Sequence, residues 1–481
     1  MLGDTDVSDD SETDDTDPSD DTADTGPDVT WTALPEGCDA PTGLPNDPLV
    51  LDGSLKITQD QPGQAFFVEL VDLEQDGDIV YGVGQGGLMV YDVSDPTAPA
   101  LQAVFPDEQA KDRYHKVEVL APGIVALTHR ERHMRVVDLS DKSDLFYQGG
   151  KGMEGLAKVG DRLYVSDRDL GLRVMDISDL KDIHQIAVVS GIQHTWELAA
   201  TGDGWLYAAD GVLGLVPIDI SDPDAPVIGT PVGLDGSVLH VRSEGDHLLV
   251  SNASLGLAIF ERSDPAAPTL SSQLTTGGSV VMADASNGLL WAADHEAVTV
   301  WDFSDPSDPS PLHRETTEQF ALAVIAGPST DAWVGDWSIL GHWTADPAGQ
   351  AARLELAARD VYLWEDARIV EVRNHGAASG SLLGFSGTDL LVEASATTLG
   401  PGETALLRIT TTNPIDGSTP LCIAAEDPED PRQELVVHQG DSVGRLGDEA
   451  IDFTLEALDG TEYTLSDYLG QPVMITYFAT W

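Results

Sequence analysis

Apolar and polar side chains alternate along most of this chain in short runs, broken by Gly, Asn, Asp or Pro. This is the two-residue period of half-buried β-strands. The clearest runs recur as one phrase: LMVYDVSDPTAP from Leu88, MRVVDLSDKSD from Met134, LRVMDISDLKD from Leu172, LVPIDISDPDAP from Leu215, LAIFERSDPAAP from Leu257 and VTVWDFSDPSDP from Val298. The residue before x-Ser-Asp in each phrase, namely Asp92, Asp138, Asp176, Asp219, Glu261 and Asp302, recurs at spacings of 46, 38, 43, 42 and 41 residues. Such a period fits the blades of a β-propeller, each a four-stranded sheet, and not a helical solenoid.

Each phrase reads as a strand followed by its exit turn. Proline has no N–H to continue a ladder, and the Asp side chain can accept hydrogen bonds from the turn backbone. Upstream lies another strand, seen as RLYVSD, WLYAAD, HLLVSN and LLWAAD, joined through a Gly-containing turn, and the remaining residues of each repeat accommodate two more. A degraded seventh copy, DAWVGDWSILGHWTADP, places Trp343 41 residues after Asp302. The expectation is a seven-bladed β-propeller over residues 49–347. The strand LVLDGSLKIT, residues 49–58, is expected to complete the last blade and remove the ring's open edges. These phrases resemble the LVIVD repeat family, surface proteins of bacteria and archaea. The resemblance implies architecture and leaves the chemistry open.

From about Arg353 the period is lost. RIVEVRNHGAASGSLLGF, TTLGPGETALLRITTT and TPLCIAAEDPEDPRQELVVHQG predict an immunoglobulin-like β-sandwich over residues 353–440, with Cys422 read as a buried apolar residue of a strand. Residues 443–481 follow another pattern. Gly447 to Leu455 gives G-x-x-x-x-D-F-x-L, Asp459-Gly460 a hairpin turn, Thr464-Leu465-Ser466 a lead to Gly470, and VMITYFATW a closing strand. This segment resembles the opening of a redoxin domain, the thioredoxin-like α/β group of thiol-disulfide reductases and thiol peroxidases. In that family the strand is followed at once by the reactive cysteine at a helix N-terminus, where the helix dipole lowers its pKa. The catalytic cysteines are therefore expected directly after Trp481, with none in this chain.

Charge and cysteine usage narrow the partners. Lys and Arg number 24 against 83 Asp and Glu, a formal net charge of -59, which excludes nucleic acid as a partner. The first basic residue is Lys56, and the Asp/Thr/Ser run near the N-terminus has almost no apolar side chains, so residues 1–48 are expected to be a disordered acidic spacer. Such a spacer is similar to the one that follows the lipid-modified cysteine of bacterial surface lipoproteins, which implies a lipid anchor missing from the N-terminus and an extracytoplasmic location. No apolar run is long enough for a transmembrane span. The only cysteines, Cys38 and Cys422, fall in different expected modules and need not be partners.

Candidate chemistry inside the propeller is sparse. His115, Met153 and Trp196 occupy equivalent places, each 14 residues before the end of its blade's second strand, and Glu154 and Glu197 follow directly. Innermost strands line a propeller's channel, so these five are the candidate channel residues. His129 and His133 are read as members of a solvated hairpin turn, and Asp167, Asp210 and Asp294 as turn caps. No cofactor or metal site is expected. Two functions remain in view. One is an exported redoxin-domain protein, acting on a thiol, disulfide or peroxide, with the propeller as positioning platform. The other is a non-enzymatic surface binding or adhesion protein with an unknown protein partner.

Overall fold

The computed structural model describes residues 29–45, 48–57, 68–105, 113–363, 367–415, 417–439, 454–456 and 462–464. Among these residues every regular element is a β-strand. Five sheets have four antiparallel strands in sequence order. A sixth has seven strands, because the 17-residue strand Ser310–Ala326 serves twice. Its residues 310–316 pair with residues 297–302, whereas 321–326 pair with Asp331–Asp336. Counted by pairing, the sheets make seven units.

Their first strands are Asp72–Asp76, Lys116–Ala121, Met153–Val159, Thr195–Ala200, His240–Glu244, Met282–Ser286 and residues 321–326. Successive first strands pack side by side, and the seventh returns against the first, so the units close into a ring. Leu49–Lys56 supplies the outer strand of the seventh unit, antiparallel to Ile339–Ala345, as the sequence pattern predicts. A strand from the start of the ring thereby covers an edge at its end.

The core lies in slabs between neighbouring units. Met134 and Val136 of the second unit meet Leu163 and Val165 of the third, and Tyr207 and Leu215 of the fourth meet Val250 and Phe260 of the fifth. The slab that holds Leu73, Trp291, Val324 and Trp343 joins the sixth and seventh units to the first. Second strands such as Arg162–Asp167 are therefore buried on both faces, and fourth strands such as His184–Val189 are largely exposed.

Two five-stranded sheets follow and share one core, with Val372, Leu407 and Ile409 of one facing Phe385, Ile423 and Val437 of the other. The N-terminal segment corrects two expectations. Residues 29–45 are not part of a disordered spacer: Thr32–Ala33 pairs with Leu390–Ala394, and Leu34 enters the shared core. Cys38 is then carried to Cys422, and the two form a disulfide across 384 residues. Cys422 is thus a partly exposed cross-link and not a buried apolar residue. Sequence spacing hid this because the segment that precedes the ring folds onto the domain that follows it. Of the redoxin-like segment, Thr454–Glu456 pairs antiparallel with Glu462–Thr464; the rest of that reading, and the spacer over 1–28, lies outside the described residues.

Candidate functional site

The first strands surround the centre of the ring, and they break plain alternation by carrying charge: DLEQD, KVEVLA and HVRSE. Lys116 is buried with its ammonium 3.1 Å from Asp72 and against the carboxylate of Glu197. Burial disfavours a charged amine, yet these two carboxylates outweigh it and hold Lys116 above its ordinary range. Farther along, Arg242 reaches Glu74 at 3.2 Å. Burial still leaves Glu74 and Asp284 raised, against the pull of Arg242. Glu118 is pushed up to about 8, by burial first and by neighbouring Glu74 second.

Where these strands begin, a cavity of about 590 Å³ opens, walled in part by Trp196, Trp337, His115, His240, Arg113 and Arg130. The His115 and Trp196 rings stand 5.7 Å apart, and the Arg130 guanidinium lies 4.3 Å above the Trp196 ring. Burial, reinforced by Lys116 and Arg130, pulls His115 down to about 3. Burial and Lys116 likewise hold His240 well below its ordinary range, so both imidazoles are neutral. His240 is buried, with Nε2 3.6 Å from Glu197 and no hydrogen-bond partner for Nδ1. At the rim two guanidiniums share one buried carboxylate: Arg130 lies 3.0 Å from Glu154, and Arg168 donates to it as well. Arg113 pairs with Glu69 at 3.1 Å.

The five candidate residues divide. His115 and Trp196 line the cavity, Glu154 anchors the rim arginines and Glu197 meets Lys116. Met153 instead turns into the core between the second and third units. Register shifts between Met153 and Leu156, and between Thr195 and Glu197, break the equivalence that counting from the second strand implies. His129 and His133 are another correction. They face each other across the hairpin as expected, but both are buried, with ring centroids 5.2 Å apart and Tyr114 packed edge-on to each. Sequence reading missed Lys116, Glu118, His240 and Arg242. Charged residues within otherwise apolar strands were the available signal.

The LVIVD repeat model matches residues 75–105, 154–182 and 193–230. The chain carries LVIVD repeats. The matched stretches fall within the first, third and fourth units of the ring. No curated protein matches the chain. Among solved structures, the computationally designed protein Ika8 is 11% identical over 58% of this chain and 97% of its own, at a TM-score of 0.45. The extracellular domain of a putative one-component system from B. thetaiotaomicron is 11% identical over 80% of this chain and 59% of its own, at 0.49. Likeness this distant carries no functional argument.

The exit turns of the LVIVD repeats have one construction. Asp92 accepts a hydrogen bond from the Ser94 N–H at 3.0 Å, Asp176 from Ser178 at 2.9 Å and Asp219 from Ser221 at 2.8 Å. Asp138 and Asp302, outside the matched stretches, do the same with Ser140 and Ser304. The strand-end acids act as turn caps too: Asp167 accepts from Asp169 and Leu170, Asp210 from Val212 and Leu213, and Asp294 from Ala297. The Asp-capped exit turns thus build scaffold, whereas site residues such as Glu154, Trp196 and Glu197 lie on first strands inside the matched stretches. Among the described residues, no helix is long and apolar enough to cross a membrane.

Proposed function

We propose that this chain is an extracytoplasmic surface binding protein: a seven-bladed β-propeller joined to an immunoglobulin-like sandwich, whose mouth cavity holds a small planar organic anion. The observation that carries this reading is the cavity's chemistry. Trp196 and Trp337 offer aromatic faces, and two neutral imidazoles offer hydrogen bonds without charge. Beside the cavity the Arg130 and Arg168 guanidiniums share the one Glu154 carboxylate, so the wall that Arg130 forms carries hydrogen-bond donors for an anion. An aromatic carboxylate uses all three features. The Cys38–Cys422 disulfide suits an oxidising compartment, which supports the extracytoplasmic placement.

Calorimetry with phenylacetate and its uncharged amide on the full chain tests the site. Phenylacetate should bind, the amide more weakly, and Trp196→Ala should weaken phenylacetate by about tenfold, about 1.4 kcal/mol. Absence of heat with phenylacetate, or an unchanged affinity in Trp196→Ala, would overturn the reading.

A second reading rests on the 443–481 pattern. There the chain belongs to a thiol-disulfide or peroxide-reducing redoxin, and the propeller positions that domain near its substrate. Residues 443–481 themselves contain no cysteine.

A further inference from the structure

Where the ring meets the two-sheet domain, an imidazole and several carboxyl groups cluster. His313 and Glu315 lie on Ser310–Ala326 of the ring, and Glu429 sits between the strands Gly417–Ala425 and Arg432–Gln439 of the two-sheet domain. His313 Nε2 is 3.8 Å from a carboxylate oxygen of Glu315 and 3.8 Å from one of Glu429. One ligand atom from each of the three residues falls within 4.8 Å of the other two. The fully buried Asp427 carboxylate stands nearby, and the cation within reach is Arg353.

Arg353 is committed elsewhere. Its Nη1 meets Asp427 at 3.0 Å, and its Nε proton goes to the Arg314 carbonyl at 3.0 Å. Its approaches to Glu429 at 3.3 Å and Glu315 at 3.9 Å are therefore electrostatic. Three acidic side chains thus stand around one guanidinium: Asp427 is fully buried and paired with it, whereas Glu315 is half-buried and Glu429 exposed.

We propose that His313, Glu315 and Glu429 bind one divalent transition-metal ion, with zinc as the reference case, and that the ion staples the ring to the two-sheet domain. Two ligands each about 2.1 Å from a common zinc ion stand about 3.4–4.2 Å apart, from tetrahedral to linear arrangement, and the observed 3.8 Å falls inside that span. One imidazole and two carboxylates form a donor set suited to zinc, manganese or ferrous iron. A cavity of about 460 Å³ lined by Glu315 and Glu429 gives the ion a path and leaves room for water to complete its shell.

A shared proton is the rival occupant. Burial, helped by Glu429 and opposed by His313, pushes Glu315 up to about 8, so a metal ion must displace that proton near neutral pH. The experiment uses the full chain, stripped with EDTA, dialysed and titrated with zinc chloride by calorimetry at pH 7, with bound zinc counted by mass spectrometry. One zinc per chain is expected, together with a rise in melting temperature. His313→Ala and Glu429→Gln should each weaken binding at least tenfold and abolish the thermal shift, while Glu318→Gln, exposed on the same cavity, should change neither. If His313→Ala does not fold, Glu429→Gln carries the comparison, with circular dichroism confirming its fold. No stoichiometric zinc in the wild-type chain, or equal affinity in Glu429→Gln, overturns the proposal and leaves the proton as occupant.

Discussion

At the scale of single residues, the centre of the ring is organised by competition between burial and pairing. Lys116 stays charged because Asp72 and Glu197 both face it. For Glu118 the pull of Arg242 is outweighed: burial and Glu74 push it from 4.5 up to about 8. An acid whose pKa rises on folding adds no penalty below its unfolded value. It destabilises the fold progressively as pH climbs from 4.5 through 8, as ionisation becomes free in the unfolded chain and costly in the folded one. Glu74, Glu197 and Asp284 are shifted in the same direction. The chain should therefore melt at a lower temperature at pH 9 than at pH 5. Glu118→Gln should recover about 1–3 kcal/mol at pH 9 and little at pH 5. Urea titrations at the two pH values check this, and an equal effect at both would show that Glu118 ionises freely.

At the scale of elements, each unit depends on a tight turn into its third strand. Gly256 has φ +87°, and a Cβ there would stand 2.0 Å from the Leu274 carbonyl oxygen of the adjoining strand. Gly171 repeats the arrangement at φ +101° and 2.3 Å from Val189 O. Backbone strain alone costs about 1–3 kcal/mol for a residue with a side chain in such a conformation, and the clash adds to it. Gly256→Ala should thus shift the urea midpoint more than Gly245→Ala, where φ is +56° and nothing lies within 4 Å. Equal shifts would mean that φ alone sets the requirement. The exit turns were readable from sequence because Asp, Ser and Pro act locally, and the hydrogen bonds from Ser94, Ser178 and Ser221 follow that reading.

At the scale of the whole molecule, two closures hold the chain together. One is the strand Leu49–Lys56 on the seventh unit, and the other is the Cys38–Cys422 disulfide, which ties residues before the ring to the domain after it. The ring and the two-sheet domain have separate cores, so their unfolding transitions can be followed apart. Replacing Cys38 and Cys422 together by Ser should destabilise the two-sheet transition by about 2–5 kcal/mol and leave the ring's in place. With both cysteines paired, the native chain should show no thiol to Ellman's reagent and no insulin-reducing activity, and two thiols after denaturation and reduction. A reactive thiol in the native chain would mean that the disulfide is not formed.

The sequence by itself determined the strands, their period, the seven-unit count and the turn chemistry, because these depend on neighbours a few residues away. The change of pattern at Arg353 coincides with the change from four-stranded units to two five-stranded sheets. Only the tertiary structure decided that Cys38 reaches Cys422, that Met153 turns into the core while His115 and Trp196 share a cavity, and that Lys116, Glu197 and His240 from three units converge. Those facts depend on ring closure and on register shifts of a single residue. A one-residue slip sends a strand's side chain to the opposite face, and no local pattern records which sheet edge a distant segment will meet.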